Sequence, residues 1–192
     1  MAEAAREMFN YTICDLDALA DSDRSGEEFE LIDGMIVVMS NPTQAHEQIA
    51  SNIGAPLKLA MNKPGCRTYQ GGMRVQASDE ASGRDKYRPD VMVHCGPRDD
   101  KKTYFTDPVV VVEVLSSSTM DNDRGRKLEF YKRQVGLEHI VLAYSDQMRV
   151  EHYVRSGESW KCLVLTAPYS VLTLEAVSFA IALEEVYFDI AF

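Results

Sequence analysis

Three residues could do chemistry together if the fold brings them close: Asp90, Glu113 and Lys127. Asp90 follows Pro89 at the start of an apolar run. Glu113 interrupts a run of valines, Val109-Val110-Val111-Val112-Glu113-Val114-Leu115. A carboxylate inside such a run loses its hydration unless a cation or hydrogen bonds compensate. Two carboxylates from neighbouring strands can converge on one hard cation, and Mg²⁺ needs few protein oxygens because it keeps waters and substrate phosphates as its other ligands. Lys127 would add an ammonium that positions an attacking water and offsets charge at a phosphorus centre. Each residue also has a purely structural use. Asp90 could cap a turn, Glu113 could pair with a buried arginine, and Lys127 could lay its stem on the core with its amine in water.

The surrounding pattern predicts elements that position these groups. A short helix capped by Asp15 runs to about Ala20. Phe29–Ile32 and Met35–Met39 flank Asp33-Gly34, the signal of a hairpin closed by a type I′ turn. Asn41-Pro42-Thr43 opens a long helix whose stripe is Ile49, Ile53, Leu57 and Ala60, with His46 on the same face and Pro56 bending it. Arg67–Ala77 reads as one strand disturbed by Gly71-Gly72, then Ser78–Lys86 as a polar loop. Pro89–Val93 and Val109–Leu115 read as strands, the second covered on both faces. A helix capped by Asp121 or Asp123 ends near Gly136, with Leu128, Tyr131 and Val135 inward and Lys127 and Arg124 on the edge of that sector. Ile140–Tyr144 and Arg149–Val154 pair, Trp160–Leu165 adds a hairpin, and 174–188 packs as a turn or short helix.

The chain has 192 residues and a formal net charge of −10, consistent with one domain over 1–192. Charge is uneven: residues 1–57 carry net −9, 58–135 carry +4 and 136–192 carry −5. An anionic substrate should meet the middle segment, although avid nonspecific nucleic-acid binding is disfavoured. No stretch is long and apolar enough to span a membrane, and MAEAAREMFN lacks the core of a secretory signal. Cys14, Cys66, Cys95 and Cys162 form no C-x-x-C pair, so reduced structural thiols in a cytoplasmic protein are expected. Phosphate-binding loops, a G-x-S-x-G elbow and H-E-x-x-H are absent, and the aromatics do not alternate with basic residues as a stacking platform would.

Asp90, Glu113 and the nearby lysine, in the order helix, three strands, helix, strand, resemble the PD-(D/E)xK nuclease superfamily. The longer pattern resembles its Uma-type family of restriction endonucleases. The stretches that carry this are Phe-Glu-Leu-Ile-Asp-Gly (29–34), His46, Arg-Pro-Asp-Val-Met-Val (88–93), Val-Val-Glu-Val-Leu-Ser-Ser-Ser-Thr (111–119) and Asp123-x-x-x-Lys127-Leu128-x-x-Tyr131. The resemblance implies a restriction-endonuclease-like α/β fold, with a mixed central sheet flanked by helices and preceded by an N-terminal hairpin. It implies Asp90, Glu113 and the Val114 carbonyl as ligands of Mg²⁺ or Mn²⁺. Lys127 would replace the usual strand lysine, whose position holds Leu115. Glu30, His46, Arg124 and Tyr131 would stand nearby.

The expected function is metal-dependent hydrolysis of DNA phosphodiester bonds, with a homodimer expected by analogy. The alternative is a non-catalytic module of the same fold, acting in self-association or in partner or DNA binding.

Overall fold

The computed structural model describes residues 10–39, 41–61, 65–77, 80, 83–116 and 123–192, the side chains of Asp123 and Arg124 excepted. The first helix, α1 (Ile13–Ser22), starts earlier than its sequence suggested. Thr12 is the cap, and Asp15 is the third helical residue of a reciprocal box: its carboxylate accepts from the Thr12 N–H at 2.8 Å. Strands β1 (Phe29–Ile32) and β2 (Met35–Val38) form the expected hairpin. Asp33 (φ 47°) and Gly34 (φ 76°) supply the two positive φ values that a type I′ turn requires.

Helix α2 (Gln44–Ala60) is capped by Thr43, and it buries Ile49, Ile53 and Leu57. Ala60 is exposed, because the stripe ends where the helix does. The single strand expected over 67–77 is two strands, β3 (Cys66–Gln70) and β4 (Arg74–Gln76). Gly71 and Gly72, both at positive φ, turn the chain so that these strands join different sheets.

Next come β5 (Lys86–Tyr87), β6 (Val91–Cys95), the unforeseen β7 (Tyr104–Phe105) and β8 (Val110–Leu115). Asp121 and the turn residues 117–119 lie outside the described residues. A π-helical turn (Asp123–Lys127) runs directly into α3 (Leu128–Lys132). The helix stops there rather than near Gly136, so Val135 is 92% exposed instead of inward.

The chain continues through β9 (His139–Tyr144), β10 (Val150–Ser156), β11 (Ser159–Leu165) and β12 (Val171–Leu174). It ends with a 3₁₀ turn (Glu175–Val177), β13 (Phe179–Ala182) and α4 (Leu183–Val186). The tail expected to be a turn or short helix therefore also contributes a strand, paired antiparallel with β12.

Among the described residues the main sheet has six strands in the order β11-β10-β9-β8-β6-β3. It is mixed: β8 and β9 are parallel, the other neighbours antiparallel. A second sheet runs β2-β1-β5-β4-β7. The valine strand β8 is covered on both faces, as its composition implied. Val110, Val112 and Val114 pack with Ile49, Ile53 and the C-terminal segment. Val111 and Leu115 pack with Tyr87, Phe130 and Tyr131.

The expectation of four reduced thiols fails. Cys66 and Cys95 sit directly opposite each other on β3 and β6 and are joined as a disulfide. Their separation of 29 residues hides this in the sequence, because register rather than local spacing brings them together. Cys14 and Cys162 remain exposed thiols. No helix among the described residues is long and apolar enough to cross a membrane.

Candidate active site

Strand alternation puts Glu113 on the face of β8 that carries Val111 and Leu115, toward α3 and the second sheet. Glu30 reaches the same place from β1, where all four residues are buried. Lys127 arrives as the last residue of the π-helical turn, with Tyr131 one turn further along α3. Glu30, Glu113 and Lys127 are 1%, 3% and 2% exposed.

The Lys127 ammonium lies 3.0 Å from Glu30 Oε1 and 3.6 Å from Glu113 Oε1. The Tyr131 hydroxyl donates to Glu113 Oε1 at 2.6 Å, and the Arg88 backbone N–H donates to Glu30 Oε1 at 2.9 Å. Lys127 also sits 5.9 Å from the centre of the Tyr87 ring. Burial pushes the Tyr87 hydroxyl far above its usual range, helped by Asp85, whose carboxylate accepts its proton at 3.0 Å. Tyr87 is therefore a neutral donor and packing group here.

Asp90 immediately precedes β6. The β6–β8 register, continued by one position, sets it opposite Glu113. Its Oδ2 accepts the Val114 backbone N–H at 2.6 Å and lies 3.3 Å from His46 Nε2. In a strand the N–H and C=O of one residue point to the same side, so the Val114 carbonyl is turned toward Asp90 as well. His46 is placed by the first turn of α2, where its own N–H donates to the Thr43 hydroxyl at 3.3 Å. Arg124 belongs to the π-helical turn, and its side chain lies outside the described residues.

A cavity of about 480 Å³ opens against this array, with Glu30, His46, Arg88, Asp90 and Ser116 among its walls. Glu113 and Lys127 stand behind the wall. Arg88 opens the Arg-Pro-Asp-Val-Met-Val motif, yet the sequence alone points to no role for it. It fixes Glu30 through its backbone and pairs its guanidinium with Glu28. Its place two residues before Asp90 was the available signal.

The donors suit a hard divalent cation. Asp90 Oδ1 makes no hydrogen bond among the described residues, Asp90 is 22% exposed at the cavity, and a backbone carbonyl faces the same side. No cluster of three or more His, Cys, Asp or Glu forms a metal cage among the described residues. Mg²⁺ does not need one, since it is bound through one or two carboxylates and keeps its waters.

Residues 13–184 match the protein family described as "Putative restriction endonuclease", Uma2. The chain belongs to this family. Two relatives come from Synechocystis sp. The uncharacterized protein slr1290 is 29% identical over 172 residues, 88% of each chain. The uncharacterized protein sll1609 is 27% identical over 143 residues, 73% of this chain and 79% of that one. Among solved structures, a "putative nuclease belonging to DUF820" from Anabaena variabilis superposes with a TM-score of 0.70 at 17% identity, covering 90% of this chain and 96% of that one. The Uma2 fold is thus the α/β fold that the motifs implied, and membership supports a nuclease at the level of the family.

Proposed function

We propose that the protein is a metal-dependent endonuclease that hydrolyses DNA phosphodiester bonds. The observation that carries this reading is the convergence of Lys127, Glu30 and Glu113 from three separate elements, behind a cavity whose wall holds Asp90. Asp90, Glu113 and the Val114 carbonyl would hold Mg²⁺ or Mn²⁺. When bound, such an ion supplies an acidic site for a water and charge stabilisation for a leaving oxygen.

The chain's own residues do the rest. His46 and the Val114 N–H orient Asp90 by holding one of its oxygens. Tyr131 orients Glu113 in the same way. Glu30 pairs with the Lys127 ammonium and fixes it, so that its field meets charge developing on the phosphate without reorganisation.

A plasmid nicking assay with Mg²⁺ or Mn²⁺ tests this. Wild type should nick, a chelator should stop it, and Asp90→Asn should lower the rate by about 10²-fold or more, the scale of losing one preorganised group. A wild type that binds DNA but never nicks with either metal would establish the non-catalytic alternative instead.

A further inference from the structure

A second recess, of about 500 Å³, opens where the edge strand β3 meets the end of α2 and the loop after β6. Its charge is opposite to that of the first cavity. Lys58, Arg67, Arg98 and Lys102 contribute four cations against Asp99 and Asp100, net +2. The first cavity sets Glu28, Glu30, Glu47 and Asp90 against Arg88, net −3 with His46 neutral. In a chain of net −10, a polyanion is drawn first to such a local positive face.

Two features make this more than a charged surface. Arg67 is held by backbone carbonyls, those of Gly65 at 3.2 Å and Gly96 at 3.0 Å, so its guanidinium is fixed, and among the described residues no carboxylate pairs with it. Tyr69, half-buried two residues on, forms an aromatic wall with Phe105 at 5.1 Å between ring centres. Phe105 is itself backed by the His94 ring at 4.1 Å. A fixed cation with further cations around it, beside an aromatic wall, supplies the elements of single-strand binding, in which phosphates are gripped and a base stacks. A recess of this size admits one unpaired base, whereas a duplex keeps its bases stacked inside.

We infer that this cleft binds single-stranded DNA, with Arg67 and Lys58 on the phosphates and a base on Tyr69. Strand β3 then guides the polymer into the acidic cavity: Cys66, Arg67, Thr68 and Tyr69 line the basic recess and Gln70 lines the other. Arg67 and Gln70 are three strand residues apart, roughly 10 Å. The choice of DNA rests on the nuclease reading; the cleft itself does not.

The test is fluorescence anisotropy with a labelled oligothymidylate and a duplex of equal length, on the full chain in chelator so that nothing is cut. The single strand should bind more tightly than the duplex. Tyr69→Leu should weaken single-strand binding about tenfold while Tyr69→Phe, which keeps the ring, changes it little. Lys58→Glu should weaken binding and flatten its salt dependence. Single-strand affinity indifferent to both Tyr69→Leu and Lys58→Glu would overturn the cleft, as would a duplex bound equally well. The two readings fail separately. Oligothymidylate binding with these sensitivities but no plasmid nicking retires the nuclease and keeps the cleft. Nicking without these sensitivities does the reverse.

Discussion

Lys127 and Glu30 form an ion pair at 3.0 Å with side chains only 3% and 1% exposed, and Glu113 shares the same ammonium from 3.6 Å. Lys127→Ala would leave two carboxylates facing each other in a dry pocket. Breaking a buried pair in this way costs about 3–5 kcal/mol. For a chain of this size that lowers the melting temperature by about 10 °C. Glu30→Gln should cost less, because Lys127 keeps Glu113. Urea midpoints of the two variants decide it, and a Lys127→Ala protein as stable as wild type would refute the burial argument. Helix phase alone had placed Lys127 at an edge, where the substitution would spare the fold.

Mg²⁺ or Mn²⁺ should stabilise the folded chain through Asp90 and Glu113. An ion at 100 times its dissociation constant contributes about 2.7 kcal/mol. The melting temperature should rise by about 5–10 °C. Asp90→Asn and Glu113→Gln should each lose most of that rise. An equal rise in all three proteins would locate the ion on the general acidic surface instead.

The buried pair His139 and His152 predicts acid sensitivity. His139 Nε2 accepts the Ala176 N–H at 3.2 Å, so its proton is on Nδ1 and is donated to His152 Nε2 at 3.0 Å. Neither ring can take a proton without breaking this chain, which ties β9 to the C-terminal 3₁₀ turn. Burial first, then His139, pushes His152 down to about 4, and burial lowers His139 despite Glu175 and Glu138. Between about pH 4 and the unfolded value of about 6.5 the unfolded state binds more protons. Stability is therefore complete above that window and falls as pH drops through it, by about 3 kcal/mol for His152. His152→Leu should flatten the fall in urea midpoint from pH 7 to 4.5. An unchanged slope would assign the acid loss to carboxylates.

Reduction of the Cys66–Cys95 bond should be costly too. Opening a loop of 29 residues releases unfolded-chain entropy equivalent to about 3–4 kcal/mol. Dithiothreitol should lower the melting temperature by about 10 °C. Cys66→Ser should melt at the lowered temperature with or without reductant. Identical melting of wild type in both buffers would mean the bond stabilises nothing.

Local patterns were legible where local physics decides them. Asp33-Gly34 specified its turn because few other residues tolerate two successive positive φ values. The valine run announced a two-sided strand, and Glu113 stood out within it. Asp90 is legible as a carboxylate opening a strand, whereas Glu30, His46 and Tyr131 enter the site only through the family resemblance; the fold gathers them around Glu113 and Lys127. Long-range pairing was illegible. Nothing in the spacing of Cys66 and Cys95 encodes their register, and β7 is only two residues long. Tyr69 acquires its cationic neighbours Lys58 and Lys102 from other elements, so a search for basic and aromatic residues alternating along the chain passes over it. Val135 shows the opposite error, a helical period extended past the point where the helix stops.

The two sheets contribute separately to the array around Lys127. Glu30 comes from the five-stranded sheet, Asp90 and Glu113 from the neighbouring interior strands β6 and β8 of the six-stranded one, Asp90 just ahead of β6, and Lys127 from the turn that crosses between β8 and β9. Glu30 is made early in synthesis and Lys127 ninety-seven positions later. A nascent chain that stops short of Lys127, or a fragment that has lost Glu30, therefore cannot assemble the constellation. Under the proposed nuclease reading, that ties hydrolytic competence to folding of the whole stretch from Glu30 to Lys127.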